Sequence, residues 1–232
     1  MPNWSYNTLR ISGKPDKMRE FYDSSIKKNS NDTEVFNFSN IFPMPEKIKN
    51  TISPSSSAKG KKWINSEKAK VRDMSISQLL DEESESGLIP CENNTDEKCQ
   101  LLKKEFGADN WYDWNINTYG TKWDIEVTDF IQEDCEFIAH FNTAWSPPAT
   151  FLYNLSVKFP SLEINLNYEL EGCDECGVFY TDSDGNLSHE TDEVTYRGSD
   201  GRDIYYNSDD GEWHYQDDDE VCDDYISINP FS

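Results

Sequence analysis

Apolar and polar residues alternate strictly between Leu162 and Leu170, and this pattern predicts a β-strand. The apolar positions are Leu162, Ile164, Leu166, Tyr168 and Leu170, with polar residues between them. Because successive strand side chains point to opposite faces, a period of two places the apolar set on one face. The same period predicts strands over Trp4–Ile11, with a bulge before Leu9, and over Cys135–Phe141.

Two other stretches carry apolar residues three and four positions apart, which is the spacing of an amphipathic helix. They run over Lys14–Lys28 and Pro147–Phe159. Each has a proline near its start. The fixed φ of proline suits the first turn of a helix, and the backbone N–H that proline lacks would have no partner within the helix at that position. Ser146 precedes the second stretch and is its expected N-cap.

Four of the seven tryptophans lie between Trp111 and Pro148. Apolar or aromatic residues alternate with polar ones over Trp114–Gly120 and again over Lys122–Phe130. We interpret these runs as the two strands of a hairpin, since Gly120 can supply the positive φ of a tight turn. Large rings at strand positions usually fill a core, so core packing is expected for Trp4, Trp114, Trp123 and Trp145.

Three motifs in order resemble the YubB-type ferredoxin-like domain family of bacteriophage and plasmid proteins. They are MPNWSYNTLRISG at the start, GTKW from Gly120 and TAWSPP from Thr143. The chain departs from the family at Ser5, where cysteine is usual, and at Tyr119, where tryptophan is common. The resemblance implies a ferredoxin-like sheet and an origin on a mobile element, and it carries no agreed biochemical activity.

Together these patterns predict an α+β fold: a ferredoxin-like antiparallel sheet with helices on one face. The ferredoxin-like domain is expected over residues 1–180, with a partly helical insertion at about 41–109. That insertion contains a serine-rich hinge (53–57), a basic stretch (44–72) and a helix over Asp96–Phe106. Thr95 is the expected N-cap of this helix, and Gly107 its expected stop. Residues 181–232 are expected to form an acidic, aromatic-rich extension of β-hairpins.

The charge is strongly negative and unevenly distributed. The formal net charge is −24, and from Glu171 to the end 19 Asp and Glu face two Arg, which places −17 in that part and −7 in the rest. A disordered acidic tail would lack aromatic residues, whereas the acidic residues 171–232 include many aromatic ones. Ordered strands with closely spaced carboxylates repel one another unless a cationic partner relieves the repulsion.

Such an acidic surface predicts a role without catalysis, namely binding a host protein by mimicking the phosphates of nucleic acid. For a mobile element the expected partner is a host nucleic-acid-binding protein or defence complex, as for anti-CRISPR or anti-restriction proteins. Ordinary solubility remains an alternative reading of the same charge. The predicted partner-binding residues are Asp209, Asp210, Glu212, Asp217, Asp218, Asp219, Glu220, Asp223 and Asp224.

Two other functions stay open. The aromatic sheet is a candidate platform for stacking single-stranded nucleic acid, although the carboxylates around Lys122 would repel phosphate. A metal-dependent enzyme would rest on carboxylates with His189 or His214, yet no Ser/His/Asp, Walker or H-E-x-x-H pattern occurs.

Cys173 and Cys176 form a C-x-x-C pair, which is a candidate half of a zinc site with Cys222, His189 or His214 completing it. No cofactor other than zinc is indicated. The neighbouring Asp174 and Glu175 disfavour thiolates and therefore redox chemistry. No signal peptide or membrane span is expected, and the host cytoplasm is the expected location.

Overall fold

Six antiparallel strands form the central sheet, in the order β4-β5-β1-β6-β7-β8. In the computed structural model, which describes residues 3–49, 51, 96–207 and 211–231, the three strands predicted most clearly from the sequence are confirmed. The sheet consists of β1 (Trp4–Ser12), β4 (Phe130–Gln132), β5 (Glu136–Ala144), β6 (Glu163–Leu170), β7 (Glu175–Thr181) and β8 (Leu187–Glu193).

The helices in the described part of the chain are α1 (Pro15–Ser25), α2 (Phe38–Ile41), α3 (Glu46–Lys49), α4 (Asp96–Phe106), α5 (Trp111–Tyr119) and α6 (Ala149–Lys158). Their buried side chains share one hydrophobic core with one face of the sheet. The expected helices α1, α4 and α6 are confirmed, although α1 ends at Ser25 and Ile26–Lys28, predicted as its last turn, form a strand instead. Gly107 ends α4 with a positive φ of 76°. Among the described residues, no helix has the length and hydrophobicity of a transmembrane span.

Three two-stranded sheets complete the described fold. The strand β2 (Ile26–Lys28) pairs with β3 (Glu34–Phe36), β9 (Thr195–Gly198) with β12 (Tyr225–Ile228), and β10 (Ile204–Asn207) with β11 (Glu212–Tyr215). The two predicted C-terminal hairpins are thereby confirmed, as β7–β8 and β10–β11. The first of them belongs to the central sheet, so β8 lies in the stretch that the sequence assigns to the extension.

The register of β1 differs from the sequence prediction. The strand pairs without a bulge along its whole length, and Ser5, Asn7, Leu9 and Ile11 share the buried face. Trp4 and Tyr6 therefore lie on the opposite, open face. The bulge was predicted because rings were assumed to point inward, whereas the structure buries two small polar side chains instead.

The predicted hairpin over Trp114–Gly120 and Lys122–Phe130 is wrong, because its first half is the helix α5. Asn110 caps this helix by accepting a hydrogen bond from the N–H of Asp113 at 2.9 Å. Gly120 ends it in the left-handed conformation, with φ of 79°. In so short a run, alternation does not separate a strand from a helix, and the two caps decide for the helix.

The expected N-cap at Ser146 is also wrong. The helix α6 begins at Ala149, with Pro148 in the cap position and no side-chain cap. Ser146 Oγ donates instead to the carbonyl oxygen of Gly120 at 3.1 Å. Because Gly120 ends α5, this bond ties the start of α6 to the end of α5.

Part of the predicted insertion contributes to the core. Ile48, Leu102 and Ala108 are buried within the main hydrophobic cluster. Thr51 Oγ1 accepts a hydrogen bond from the N–H of Trp111 at 2.9 Å. The serine-rich hinge, most of the basic stretch and the Thr95 cap lie outside the described residues.

The ring of Phe137 lies at the centre of the aromatic core. It is fully buried, with ring centroids 5.0 Å from Phe36, 5.3 Å from Phe21 and 5.6 Å from Phe130. The contact joins β5 to α1 and β3, and it therefore fixes how the helical layer lies on the sheet.

Phe137→Ala should lower the free energy of unfolding by about 3–5 kcal/mol, because it removes a buried ring and leaves a cavity. Urea denaturation measures the change. Ile131→Ala is the matched control on the neighbouring strand, since Ile131 is half exposed, and it should cost less than about 1 kcal/mol. Equal losses in the two variants would contradict this account of the core.

Candidate functional site

The open face of the sheet, opposite the helices, forms the floor of a trough. Two rows of side chains cross the three central strands: His140, Thr8 and Asn167 in one row, and Asn142, Tyr6 and Glu169 in the next. Thr8 Oγ1 lies 3.0 Å from His140 Nδ1, which links two of these strands. The floor is therefore polar, with one exposed aromatic ring.

Two chain segments form the walls of the trough, which encloses about 1220 Å³. One wall is residues 123–129, held by two backbone hydrogen bonds between Val127 and Phe36 at 2.9 and 3.0 Å. The other includes Ser227 and Asn229 near the C-terminus. Asn167 Nδ2 anchors that wall by donating to the carbonyl oxygen of Phe231 at 2.6 Å.

Aromatic rings gather at one end of the trough. The ring centroids of Trp4 and Trp123 are 6.3 Å apart, and the planes are tilted by 39°. Trp123 is 40% exposed and Tyr6 45% exposed. Lys122 Nζ lies 4.4 Å from the centre of the Trp123 ring, which is a cation–π contact.

The trough is negatively charged. Among the residues that line it, Arg10 is the cation, whereas the carboxylates are Asp124, Glu126, Asp129 and Glu169. Arg10 is itself paired with Glu136 at 2.6 Å. Burial, Glu171 and Glu169 together raise the pKa of Tyr6 above its ordinary value, as expected for a hydroxyl beside two carboxylates. An anionic ligand would be repelled here.

A buried polar network joins three sequence motifs: the N-terminal MPNWSYNTLRISG, GTKW from Gly120 and TAWSPP from Thr143. Asn7 Nδ2 donates to the carbonyl oxygens of Ser5 and Phe141, at 2.8 and 3.2 Å, and to Thr143 Oγ1 at 3.0 Å. Thr143 Oγ1 in turn donates to the carbonyl oxygen of Ser146 at 2.7 Å. Thr121 Oγ1 donates to the carbonyl oxygen of Ala144 at 3.2 Å. The motifs thus meet at one corner of the sheet.

The core prediction for the tryptophans is confirmed for Trp114 and wrong for Trp123 and Trp145. Trp114 is buried in α5, whereas Trp145 is 59% exposed and has a φ of 75°. The N–H of Trp145 donates to the carbonyl oxygen of Asn3 at 2.9 Å, which holds this left-handed residue in place. Trp123 follows the irregular turn after Gly120, where no strand period applies, and Trp4 is half buried on the open face.

The floor residues Thr8, His140, Asn142 and Asn167 were not predicted as site residues. Their signal was present in the sequence, because each is a polar member of an alternating strand. Polar residues on the outer face of a strand usually face bulk water, so the pattern did not separate a trough from an ordinary solvated face. The two walls distinguish this face from an ordinary solvated face, and the strand pattern does not predict them.

The predicted acidic residues that the structure describes lie on β11 and between β11 and β12, and Arg202 holds two of them together. Its guanidinium contacts Asp200 at 2.8 Å, Asp218 at 3.1 Å and Asp217 at 3.5 Å. It also stacks 3.5 Å from the ring centre of Tyr215. The backbone N–H and guanidinium of Arg202 hold the pKa of Asp200 below its ordinary value.

The other predicted acidic residues have more varied surroundings. The Tyr205 hydroxyl donates to Asp219, and Ser199 Oγ donates to Asp224 at 2.8 Å. Glu212, Glu220 and Asp223 are exposed. Asp209 and Asp210 lie outside the described residues.

The two cysteines of the C-x-x-C pair differ in exposure. Cys173 is exposed in the turn before β7, and Cys176 is buried in that strand, where its thiol contacts the carbonyl oxygen of Asp192 at 3.5 Å. Burial and the neighbouring carboxylate of Asp192 raise the pKa of the Cys176 thiol. The described residues contain no cluster of three or more His, Cys, Asp or Glu arranged to hold a metal ion, so zinc stays a sequence-based prediction.

Asn7→Asp should destabilise the protein by about 2–4 kcal/mol, because a buried carboxylate would face three oxygen acceptors without a proton to donate. Urea denaturation measures the loss. Asn142→Asp, an exposed change on the adjacent strand, is the control and should cost less than about 1 kcal/mol. A small effect at Asn7 would show that the network does not hold the corner.

Native-state alkylation should separate the two thiols of the C-x-x-C pair. We expect iodoacetamide to label Cys173 at least about tenfold faster than Cys176, since the reactive species is an accessible thiolate. Mass spectrometry of tryptic or chymotryptic peptides over time measures both rates. In urea the two rates should converge, and equal rates in the folded protein would contradict the burial of Cys176.

Comparison with known proteins identifies the fold. Residues 118–209 match a family model described as the ferredoxin-like domain in Api92-like protein. A crystal structure of the protein Api92 from Yersinia pseudotuberculosis aligns with 83% of this chain and 98% of its own, at 13% sequence identity and a TM-score of 0.35. No curated protein matches the chain. The fold is ferredoxin-like, and over residues 118–209 the chain is similar to the ferredoxin-like domain of Api92-like proteins.

Proposed function

We propose that this protein acts without catalysis, by binding a positively charged partner protein through its acidic C-terminal hairpins. The observation that carries the proposal is the charge of residues 211–224, which contain seven carboxylates and no lysine or arginine. Glu212 lies on β11, and the other six lie in the turns that connect β11 to β12, between two strands rather than on a polar tail.

Exposed aromatic and aliphatic side chains on the same hairpins support a protein partner. Tyr206, Tyr225 and Ile226 are all more than two-fifths exposed. Tyrosine is enriched at protein interfaces, where its ring supplies contact area and its hydroxyl a hydrogen bond. A face selected only for solubility would not need these rings.

The electrostatic balance of the hairpins also supports a cationic partner. Arg202 and Arg197 neutralise part of the charge, Arg197 by pairing with Asp203 at 3.0 Å. Glu220 and Asp223 are exposed and make no ion pair among the described residues. A partner that supplies lysine or arginine would relieve the remaining repulsion and accelerate association.

A nucleic-acid-binding protein of a host defence system is the partner that this chemistry and the sequence resemblance favour. Such proteins present basic surfaces that track a phosphate backbone, and DNA carries one charge per about 1.7 Å of its axis. The hairpin carboxylates would occupy that basic surface in place of phosphates. The resemblance to phage and plasmid proteins supports the setting of a mobile element in its host's cytoplasm.

Single-stranded nucleic acid is the second candidate ligand, on the open face of the sheet. The exposed rings of Trp123 and Tyr6 favour it, because bases stack on such rings. The negative charge of the trough opposes it, since binding a phosphate backbone relies on lysine and arginine.

The test uses the double variant Glu220→Lys/Asp223→Lys. Tagged protein is incubated with host lysate at low and then moderate salt, and bound proteins are identified and their affinity measured by interferometry. We expect wild type to retain a nucleic-acid-binding protein that duplex DNA displaces, and the variant to bind it at least about tenfold more weakly, because like charges face each other.

The matched control is Glu133→Lys/Asp134→Lys, which makes the same change in net charge at exposed positions before β5. It should bind as wild type does. Circular dichroism establishes that both variants are folded. Unchanged binding by a folded hairpin variant, or an equal loss in the control, would reject the acidic hairpins as the working surface.

A further inference from the structure

The aromatic end of the trough combines features that recognise an organic cation. Two tryptophan rings and the exposed ring of Tyr6 lie beside the carboxylates of Glu169 and Glu171. We propose that this end of the trough binds a guanidinium group, presented as an arginine side chain on an extended peptide segment. The trough shares the wall residues Ser227 and Asn229 with the C-terminal segment, but none of the described carboxylates of residues 211–224 lines it. The inference therefore holds whether or not those carboxylates bind a partner.

The first argument is that a cation already lies against one of these rings. Lys122 Nζ is 4.4 Å from the centre of the Trp123 ring. The Trp4 ring is the next one along, with its centroid 6.3 Å from that of Trp123. Arginine lies over tryptophan faces more often than lysine does, because its planar guanidinium also stacks and is more weakly hydrated.

The second argument is the position of two carboxylates. Glu171 Oε2 accepts a hydrogen bond from the N–H of Trp4 at 3.0 Å, which places its carboxylate at the aromatic end. Glu169 stands directly opposite Tyr6 in the register of β1 and β6. Neither forms an ion pair with a lysine or arginine within the described ranges. A guanidinium would supply the missing cation and donate two parallel hydrogen bonds to a carboxylate.

The third argument concerns the rest of the ligand. Beyond the rings, the floor presents amide side chains, including Asn142 and Asn165. Amide groups can both donate to and accept from a peptide backbone, whose N–H and C=O groups need partners when they leave water. The floor spans three strands about 4.8 Å apart, a width that admits one extended chain.

The charge of the lining separates this ligand from the alternatives. The carboxylates of Asp124, Glu126, Asp129 and Glu169 outnumber the single lining cation, Arg10. Phosphate-bearing ligands are therefore disfavoured. A neutral oligosaccharide would use the rings and amides but would leave the carboxylates without a counter-charge.

The experiment titrates the ¹⁵N-labelled full-length protein with acetyl-Gly-Arg-Gly-amide at physiological salt. This probe carries one positive charge, which limits unspecific attraction to the acidic surface. The seven indole N–H signals, assigned with Trp→Phe variants, report on each tryptophan separately. We expect saturable shifts at Trp4 and Trp123, and none at Trp114 in the core or Trp213 on the hairpins.

The controls isolate the guanidinium and the site. Acetyl-Gly-citrulline-Gly-amide has nearly the same shape without the charge and should bind at least about fivefold more weakly. Trp123→Ala and Glu171→Gln should each weaken binding of the arginine probe by about five- to tenfold. Tyr153→Ala, an exposed aromatic on α6, and Glu133→Gln should not change it.

Several outcomes would overturn the inference. They are absence of shifts at Trp4 and Trp123, equal binding of the citrulline probe, or selective shifts at these tryptophans with a chito-oligosaccharide or oligothymidylate instead. The hairpin variant Glu220→Lys/Asp223→Lys should bind the arginine probe as wild type does. If the hairpin variant loses its lysate partner but still binds the arginine probe, the guanidinium site in the trough stands. If the lysate partner is bound but the arginine probe is not, only the guanidinium site is rejected.

Discussion

The central position of β1 determines most of the structure. This nine-residue strand pairs with β5 on one side and with β6 on the other along nearly its whole length. Its buried face contributes Leu9 and Ile11 to the core, and its open face contributes Tyr6 and Thr8 to the trough. A shift of one residue in its pairing would exchange the two faces.

Two small polar residues make that register possible at the end of β1. Ser5 and Asn7 are buried on the core face, where an aromatic residue was expected. Hydrogen bonds offset the free-energy cost of burying these polar side chains. Ser5 Oγ donates to Asn7 Oδ1 at 3.1 Å, and Asn7 Nδ2 donates to the carbonyl oxygen of Phe141 on β5. Two further hydrogen bonds, from Thr121 Oγ1 to the carbonyl oxygen of Ala144 and from Thr143 Oγ1 to that of Ser146, bring the turn after α5 and the start of α6 to this corner. Because the Ser5 side chain faces the core, a different residue at this position would change core packing rather than the lining of the trough.

The described structure presents two distinct negatively charged surfaces. The C-terminal hairpin region offers exposed carboxylates, most of them in the turns between β11 and β12, with arginines already neutralising some of the negative charge. The trough offers fewer charges but combines them with rings and amides inside a concave surface. Charge density at the hairpins favours fast, long-range attraction, whereas a walled trough favours recognition of one chemical group.

The sequence alone was sufficient for the elements with long, regular patterns. The strand over Glu163–Leu170 and the helices over Pro15–Ser25 and Ala149–Lys158 follow from periods of two and 3.6, because burial on one face enforces them. The acidic hairpins followed from aromatic runs around Asp-Gly turns.

Only the tertiary structure decided the short and irregular stretches. Alternation around Trp114 fits a strand as well as a helix, and the packing of Trp114 and Tyr119 in the core selects the helix that Asn110 and Gly120 cap. The exposure of Trp123 and Trp145 depends on a turn and a left-handed residue that no period describes. The trough is formed by residues that lie far apart in the chain, such as Thr8, Asn167 and Asn229, and it exists because two separate segments cross one face of the sheet. Local sequence determines which way a side chain points along a strand, but what stands opposite that side chain is set by the packing of the whole chain.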